Sequence, residues 1–202
     1  MQQDRVVSTV DAVPTFIGAI WPQQAAKSFR IAALTLAGSL ALAVSAKLQV
    51  PFYPVPMTMQ SLVVLLVGMA FGWRLGAATV LLYLFEGLLG LPVFAGTPEK
   101  GIGLAYMAGP TGGYLLGFVP AAILAGWLAE RGWDRSLWRT AITLSLGHAA
   151  LFLTGVAWLA GFVGWSKAIA FGLTPFLAGS LVKIALGVAL VRAGWAMVGR
   201  RV

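Results

Sequence analysis

The chain has 202 residues, 59% of them hydrophobic and only 10% charged, with a mean hydropathy of +0.89. A soluble domain carries about 25% charged residues, so this composition indicates an integral membrane protein. Cysteine is absent and histidine occurs once, which excludes disulfides, thiolate chemistry and multi-histidine metal sites.

The net charge of +8 lies in short clusters between apolar segments, not on one basic face, so no nucleic-acid partner is expected. At about 20 residues per spanning helix the length allows roughly six spans. The expected fold is an all-α membrane protein of six transmembrane helices. Residues 1–29 form an N-terminal cytoplasmic or interfacial segment, and residues 30–202 form a substrate-binding transmembrane domain.

The N-terminal segment holds a short apolar patch, Pro14 to Pro22, too short to span and without the order of a signal peptide. Trp21 suits an interfacial anchor. The first span runs from about Arg30 to Lys47. Its small residues Ala33, Ala37, Ala41 and Ser45 recur every fourth place and predict a ridge for close helix approach. Packing within the chain and an interface with a partner subunit are both open at this point.

Gln49 to Thr58 (QVPFYPVPMT) is an outer connection in which three prolines block a helix, with Phe52 and Tyr53 available as an aromatic wall. The second span, Met57 to Phe71, is short and opens on Thr58, Gln60 and Ser61. Lipid would reject these polar groups unless they face protein or a cavity. Thr58 and Gln60 are neutral hydrogen-bonding groups of the kind that suit an amide or urea.

The third span is about Leu75 to Leu91. From Tyr83 to Gly117 runs the stretch around which the chain is organised, YLFEGLLGLPVFAGTPEKGIGLAYMAGPTGGYLLG. Its middle is too rich in Gly and Pro to be helical. Yet it carries Val93, Phe94, Leu104, Ala105, Tyr106 and Met107, so it is expected to fold back as a lid over a cavity. A packed loop without a ligand is the plainer alternative.

The remaining spans are about Thr111 to Ala129, Leu137 to Val163 and Pro175 to Val198, with Gly164 to Thr174 as a last outer connection. Arg5, Lys27, Arg30, Arg74, Arg131, Arg135, Arg139, Arg192, Arg200 and Arg201 fall on one side. Lys47, Lys100 and Lys167 fall on the other. This excess predicts cytoplasmic N- and C-termini, with the Pro/Gly-rich outer loops capping a binding cavity.

Lys183 lies roughly 14 Å into the last span at 1.5 Å per residue, with Ser180 on the same face. A buried amine needs a counter-charge. Either a ligand brings the anion or Glu86 pairs with it; Glu86 has two other roles open, as a ligand acceptor or as a carboxylate reaching interface water. His148 fits a proton relay or a bond to a neighbouring helix. The tryptophans fit aromatic belts. GTPEKG at Gly96 to Gly101 lacks the Ser/Thr and helix context of a nucleotide-binding loop.

Three motifs in order, VPFYPVPMTMQSL (Val50 to Leu62), YLFEGLLGLPVFAG (Tyr83 to Gly96) and GPTGGYLLGF (Gly109 to Phe118), resemble the BioY family, the biotin-specific S components of energy-coupling-factor transporters. TPFLAGSLVK (Thr174 to Lys183) resembles that family's PFLPGDLLK. The Lys is kept, Ala178 stands where the family has Pro, and Ser180 stands where it has Asp.

The resemblance implies a bacterial plasma-membrane protein that captures biotin from outside, with no cofactor and no enzymatic step. The implied partners are a transmembrane coupling subunit and two cytoplasmic ATPases, although some members act without them or by self-association. It assigns Ala33, Ala37 and Ala41 to the coupling contact and Lys183 to the vitamin site. In that site Phe52, Tyr53, Phe94 and Tyr106 would enclose the ring and Gln60 or Thr58 would bond the urea. Lys183 would hold the carboxylate, and Ser180, Glu86 and Tyr83 complete the candidate set. The alternative function is a proton-coupled secondary transporter of a small carboxylate using Glu86, His148 and Lys183. A membrane-embedded enzyme is disfavoured for want of a nucleophile–base pair.

Overall fold

The structure is a computed structural model that describes residues 15–21, 27–50 and 55–199. Phe52 and Tyr53 lie outside the described residues, so the aromatic wall expected of them has no structural counterpart to compare. Among the described residues the chain is almost entirely helical: α1 Phe16–Ile20, α2 Lys27–Lys47, α3 Gln60–Phe71, α4 Trp73–Leu88, α5 Gly103–Met107, α6 Gly112–Ala129, α7 Leu137–Val163, α8 Trp165–Gly172 and α9 Thr174–Gly199. A two-residue antiparallel ladder joins β1 Gln49–Val50 to β2 Met57–Thr58.

Among the described residues four segments are long and apolar enough to cross a membrane: Ser28–Lys47, Gly112–Ala129, Leu137–Val163 and Trp165–Gly199. The other two expected spans, α3 and α4, have 12 and 16 residues. Those lengths correspond to about 18 and 24 Å, short of a hydrocarbon core of about 30 Å. The exposed surface is strongly apolar, with Leu153, Leu181 and Val182 each more than two-thirds exposed. Such a surface suits lipid and not water.

The most buried helix is α6, which packs against α3, α4 and α7. Small residues bring these helices together: Gly117, Ala121, Ala122 and Ala125 on α6 are all buried. The sharp α3–α4 turn is made at Gly72, whose φ of 82° is disfavoured for residues with a side chain. The N-terminus of α4 is capped from α6, because Trp73 N donates to the Glu130 carboxylate at 3.2 Å. A carboxylate there complements the positive end of the helix.

The ridge on α2 is not a single straight one. Leu34, Gly38, Ser39, Leu42, Ser45 and Ala46 are buried, whereas Ala33 is half-buried and Ala37 and Ala41 are exposed. Residues four apart drift by about 40° around a 3.6-residue helix, so Ser45 has turned to the inner face by the end of the series. The close internal approach is made at Gly38 instead, where a Cβ would meet Thr79 of α4 at 2.6 Å.

Two expected connections contain helices. The Tyr83 to Gly117 stretch folds one turn into α5, and the Gly164 to Thr174 connection is largely α8. In α8 only Ala168 and Gly172 are buried, so its polar-poor sequence lies on the bundle as a short surface helix. The N-terminal patch is also docked: Phe16 of α1 meets the Trp195 ring edge-on, centroids 5.5 Å apart.

Candidate ligand-binding cavity

The end of α9 is threaded so that one narrow face turns inward. Phe176, Ser180, Lys183, Gly187 and Gly194 are its buried residues, spaced as one helical stripe. The stripe faces the start of α3 and the middle of α7, and a cavity of about 600 Å3, counted with its open mouth, lies between them.

Lys183 is 8% exposed, and its ammonium donates to Thr58 O at 2.6 Å and to Ser61 Oγ at 3.0 Å. An ammonium has three N–H donors, so one is left over. Among the described residues no Asp or Glu lines the cavity. Ser180 lines it beside Lys183 without a hydrogen bond among the described residues. Thr58 and Gln60 also line it, with Thr58 Oγ1 donating to Gln60 Oε1 at 3.5 Å and the Gln60 amide donating to Tyr83 OH.

The remaining walls are apolar or aromatic. Val55, Tyr114, Phe118, Leu151, Phe152 and Phe176 supply most of that surface. None of these was singled out from the sequence, where they are indistinguishable from core or lipid-facing residues. The available signal was positional: Val55 falls inside the VPFYPVPMTMQSL motif, Tyr114 and Phe118 inside GPTGGYLLGF, and Phe176 inside TPFLAGSLVK.

The lid stretch does reach the site. Tyr106 and Ala95 line the cavity, and the Tyr106 hydroxyl donates to Ala95 O at 2.7 Å. Phe94 is fully buried one layer behind, stacked on Tyr106 with centroids 5.2 Å apart. Tyr83 stands behind the wall as well, its hydroxyl donating to Val93 O at 3.1 Å. Lys47 clamps the same loop with bonds to Phe94 O, Thr97 O and Thr97 Oγ1 at 3.0 to 3.2 Å. Phe94 fits only because residue 87 is Gly; a Cβ there would overlap its ring.

Glu86 is a correction to the expected site. Its carboxylate accepts a hydrogen bond from Ser39 of α2, and it does not line the cavity. The physical reason is register: Tyr83 and Gly87 take the inward face of α4, and Glu86, one residue before Gly87, points toward α2. It is thus bonded toward α2 and outside the lining that Lys183 and His148 share. Trp158 is also more than a belt residue. Its indole donates to Gly109 O at 2.9 Å and packs where a Cβ on Gly113 would sit, which accounts for the paired glycines of the PTGG turn.

His148 does line the cavity. It is 4% exposed, and its Nδ1 lies 2.9 Å from Leu144 O, one turn back on α7.

Fold and cavity together define a multi-pass helical membrane protein with a cavity whose walls are mostly apolar and carry few polar groups. Residues 21–200 match the BioY family, and the chain belongs to it. It is 41% identical over 145 residues to the "Probable biotin transporter BioY" of Pyrococcus horikoshii, covering 72% of this chain and 83% of that one. It is 36% identical over 162 residues to "Biotin transporter BioY2" of Lactococcus lactis subsp. cremoris, covering 77% and 87%. Over 171 residues it is 35% identical to "Biotin transporter BioY" of Rhizobium etli, covering 81% and 90%. These relatives are transporters, not enzymes. The fold also matches a crystal structure of "the S-component for biotin from an ECF-type ABC transporter" with a TM-score of 0.70 at 24% identity, over 83% of this chain and 91% of that one.

Proposed function

We propose that this chain captures biotin in the α3–α7–α9 cavity and mediates its uptake as the substrate-binding component of an ECF-type transporter. The observation that carries this reading is Lys183: a nearly buried amine at the wall of a cavity that no carboxylate lines among the described residues. A ligand bearing an acid supplies the missing charge, and a charge-assisted hydrogen bond in a dry site is a strong one. Aromatic and aliphatic walls suit the thiophane ring, and Thr58 and Gln60 suit the ureido head.

In the membrane, α2, α3, α4, α6, α7 and α9 act as six spans in a bacterial plasma membrane, with residues 1–29 at the inner interface and both termini cytoplasmic. The excess of Arg and Lys at the α3–α4 turn, the α6–α7 loop and the C-terminal end supports that orientation. The cavity then opens outward. The two short spans, α3 and α4, sit at the protein interior and against α2, which lets them cross a thinner layer. Ala37 and Ala41, exposed on α2 with Ala33 beside them, form the contact for a transmembrane coupling subunit that joins two cytoplasmic ATPases, or for a second copy of this chain.

Isothermal titration of the purified protein in detergent with biotin, desthiobiotin and biotin methyl ester tests the reading. Biotin is expected to bind tightest and the ester to lose most of the affinity. Equal affinity for acid and ester would remove the role of Lys183, and no affinity for biotin would remove the proposal.

A further inference from the structure

We infer that His148 is a specificity-determining residue of this cavity, its Nε2 accepting a hydrogen bond from one ureido N–H of the ligand. This rests on the biotin reading of the site. The inference starts from the tautomer. A carbonyl oxygen only accepts, so the 2.9 Å approach of Nδ1 to Leu144 O places the proton on Nδ1. In the neutral ring Nε2 then carries a lone pair. Nε2 is buried and has no partner among the described residues, and a buried acceptor without a donor is an exception in folded proteins.

None of the described donors around the cavity bonds His148 Nε2. Lys183 is directed to Thr58 O and Ser61 Oγ, and the Gln60 amide to Tyr83 OH. The phenol of Tyr106 is turned to Ala95 O and that of Tyr114 to Gly172 O. With no described protein donor on Nε2, a donor carried by the ligand would complete His148. Of the polar groups of biotin, the ionised carboxylate and the ureido oxygen accept only, whereas the two ureido N–H groups donate. The ring of Phe152, 6.5 Å from the imidazole centroid to centroid and itself part of the cavity wall, flanks the same place. Lys183 and His148 thus divide the ligand, one taking its acid end and the other a ureido edge.

The test is titration of the full chain with biotin, its two ureido N-methyl derivatives and its methyl ester, in wild type, His148→Ala and His148→Gln. Wild type is expected to reject one of the two N-methyl derivatives. His148→Ala is expected to weaken biotin by about tenfold, the size of one neutral hydrogen bond, and to lose that discrimination while keeping its preference for acid over ester. His148→Gln, which can turn an amide oxygen to the same donor, is expected to recover part of both and covers the case in which the Ala variant does not fold. Unchanged discrimination between biotin and its N-methyl derivatives in the variants overturns the role of His148. So does a change that falls on the acid-versus-ester preference instead. A wild-type protein that binds no biotin overturns the reading of the whole site, an outcome distinct from either.

Discussion

The Lys183 ammonium donates to the backbone carbonyl of Thr58 at 2.6 Å, joining α9 to the start of α3 across 125 residues of chain. A carbonyl lowers the cost of burying the amine but carries no formal charge. The amine is thereby held in place and left able to bind an acid.

Removing it is expected to weaken biotin binding by roughly 2–5 kcal/mol, the order found when one partner of a buried charge pair is truncated. Lys183→Ala in isothermal titration reads this directly. A dissociation constant equal to that of the wild type would reject Lys183 as the anchor.

The lid loop is held by Lys47 and by the seat of Phe94 over Gly87. Lys47→Ala removes three bonds to Phe94 and Thr97, each worth about 1 kcal/mol. Because Phe94 backs the Tyr106 wall, the expected effect is on release: biotin dissociates several-fold faster with little change in association. Gly87→Val should go further, lowering the melting temperature as well, since overpacking costs about 1–3 kcal/mol. Stopped-flow dissociation and thermal melts check both, and unchanged rates in Lys47→Ala would show that the loop does not gate exit.

Ala37→Leu tests the outer face of α2. The residue is exposed, so the larger side chain should leave the fold and biotin affinity intact while blocking close approach of a partner helix. Co-purification with a coupling subunit is expected to be lost. Undiminished assembly would move the interface elsewhere.

Asp134, in the loop between α6 and α7, is 3% exposed, and its Oδ2 accepts from the Trp195 indole at 2.9 Å while Oδ1 has no partner among the described residues. Burial raises its carboxyl above the ordinary 3.8. A folded-state value above the unfolded one means that the folded protein holds the proton more tightly. The associated stability is complete below the unfolded value and is lost as pH rises through the folded one. Melting temperature is expected to fall over that rise in wild type and to be flatter in Asp134→Asn, which keeps the bond to Trp195. Parallel curves would assign the pH dependence to another group.

Much of the architecture was legible from composition and pattern. Apolar stretches broken by Gly/Pro clusters placed the four long apolar helices and the shorter α3 and α4 within a few residues, because a chain in lipid must satisfy its backbone internally and helices do so. The short motifs marked the family, and Lys183 stood out because a lone cation deep in an apolar span needs a reason. Thr58, Gln60 and Tyr106 were drawn to the cavity for the same kind of reason, as polar or aromatic groups where lipid or a plain loop would not call for them.

The sequence alone could not assign rotational register. Whether Glu86 met Lys183 or Ser39 depended on which side of α4 turned inward, a matter of about 100° per residue decided by where Tyr83 and Gly87 could pack. The same drift carried Ser45 inward and left Ala37 and Ala41 outside. The aromatic lining from α6, α7 and α9 and the open nitrogen of His148 emerged only when helices distant in sequence were packed together. An apolar side chain looks the same in a string of letters whether it meets lipid, core or cavity, and only its neighbours in space tell these apart.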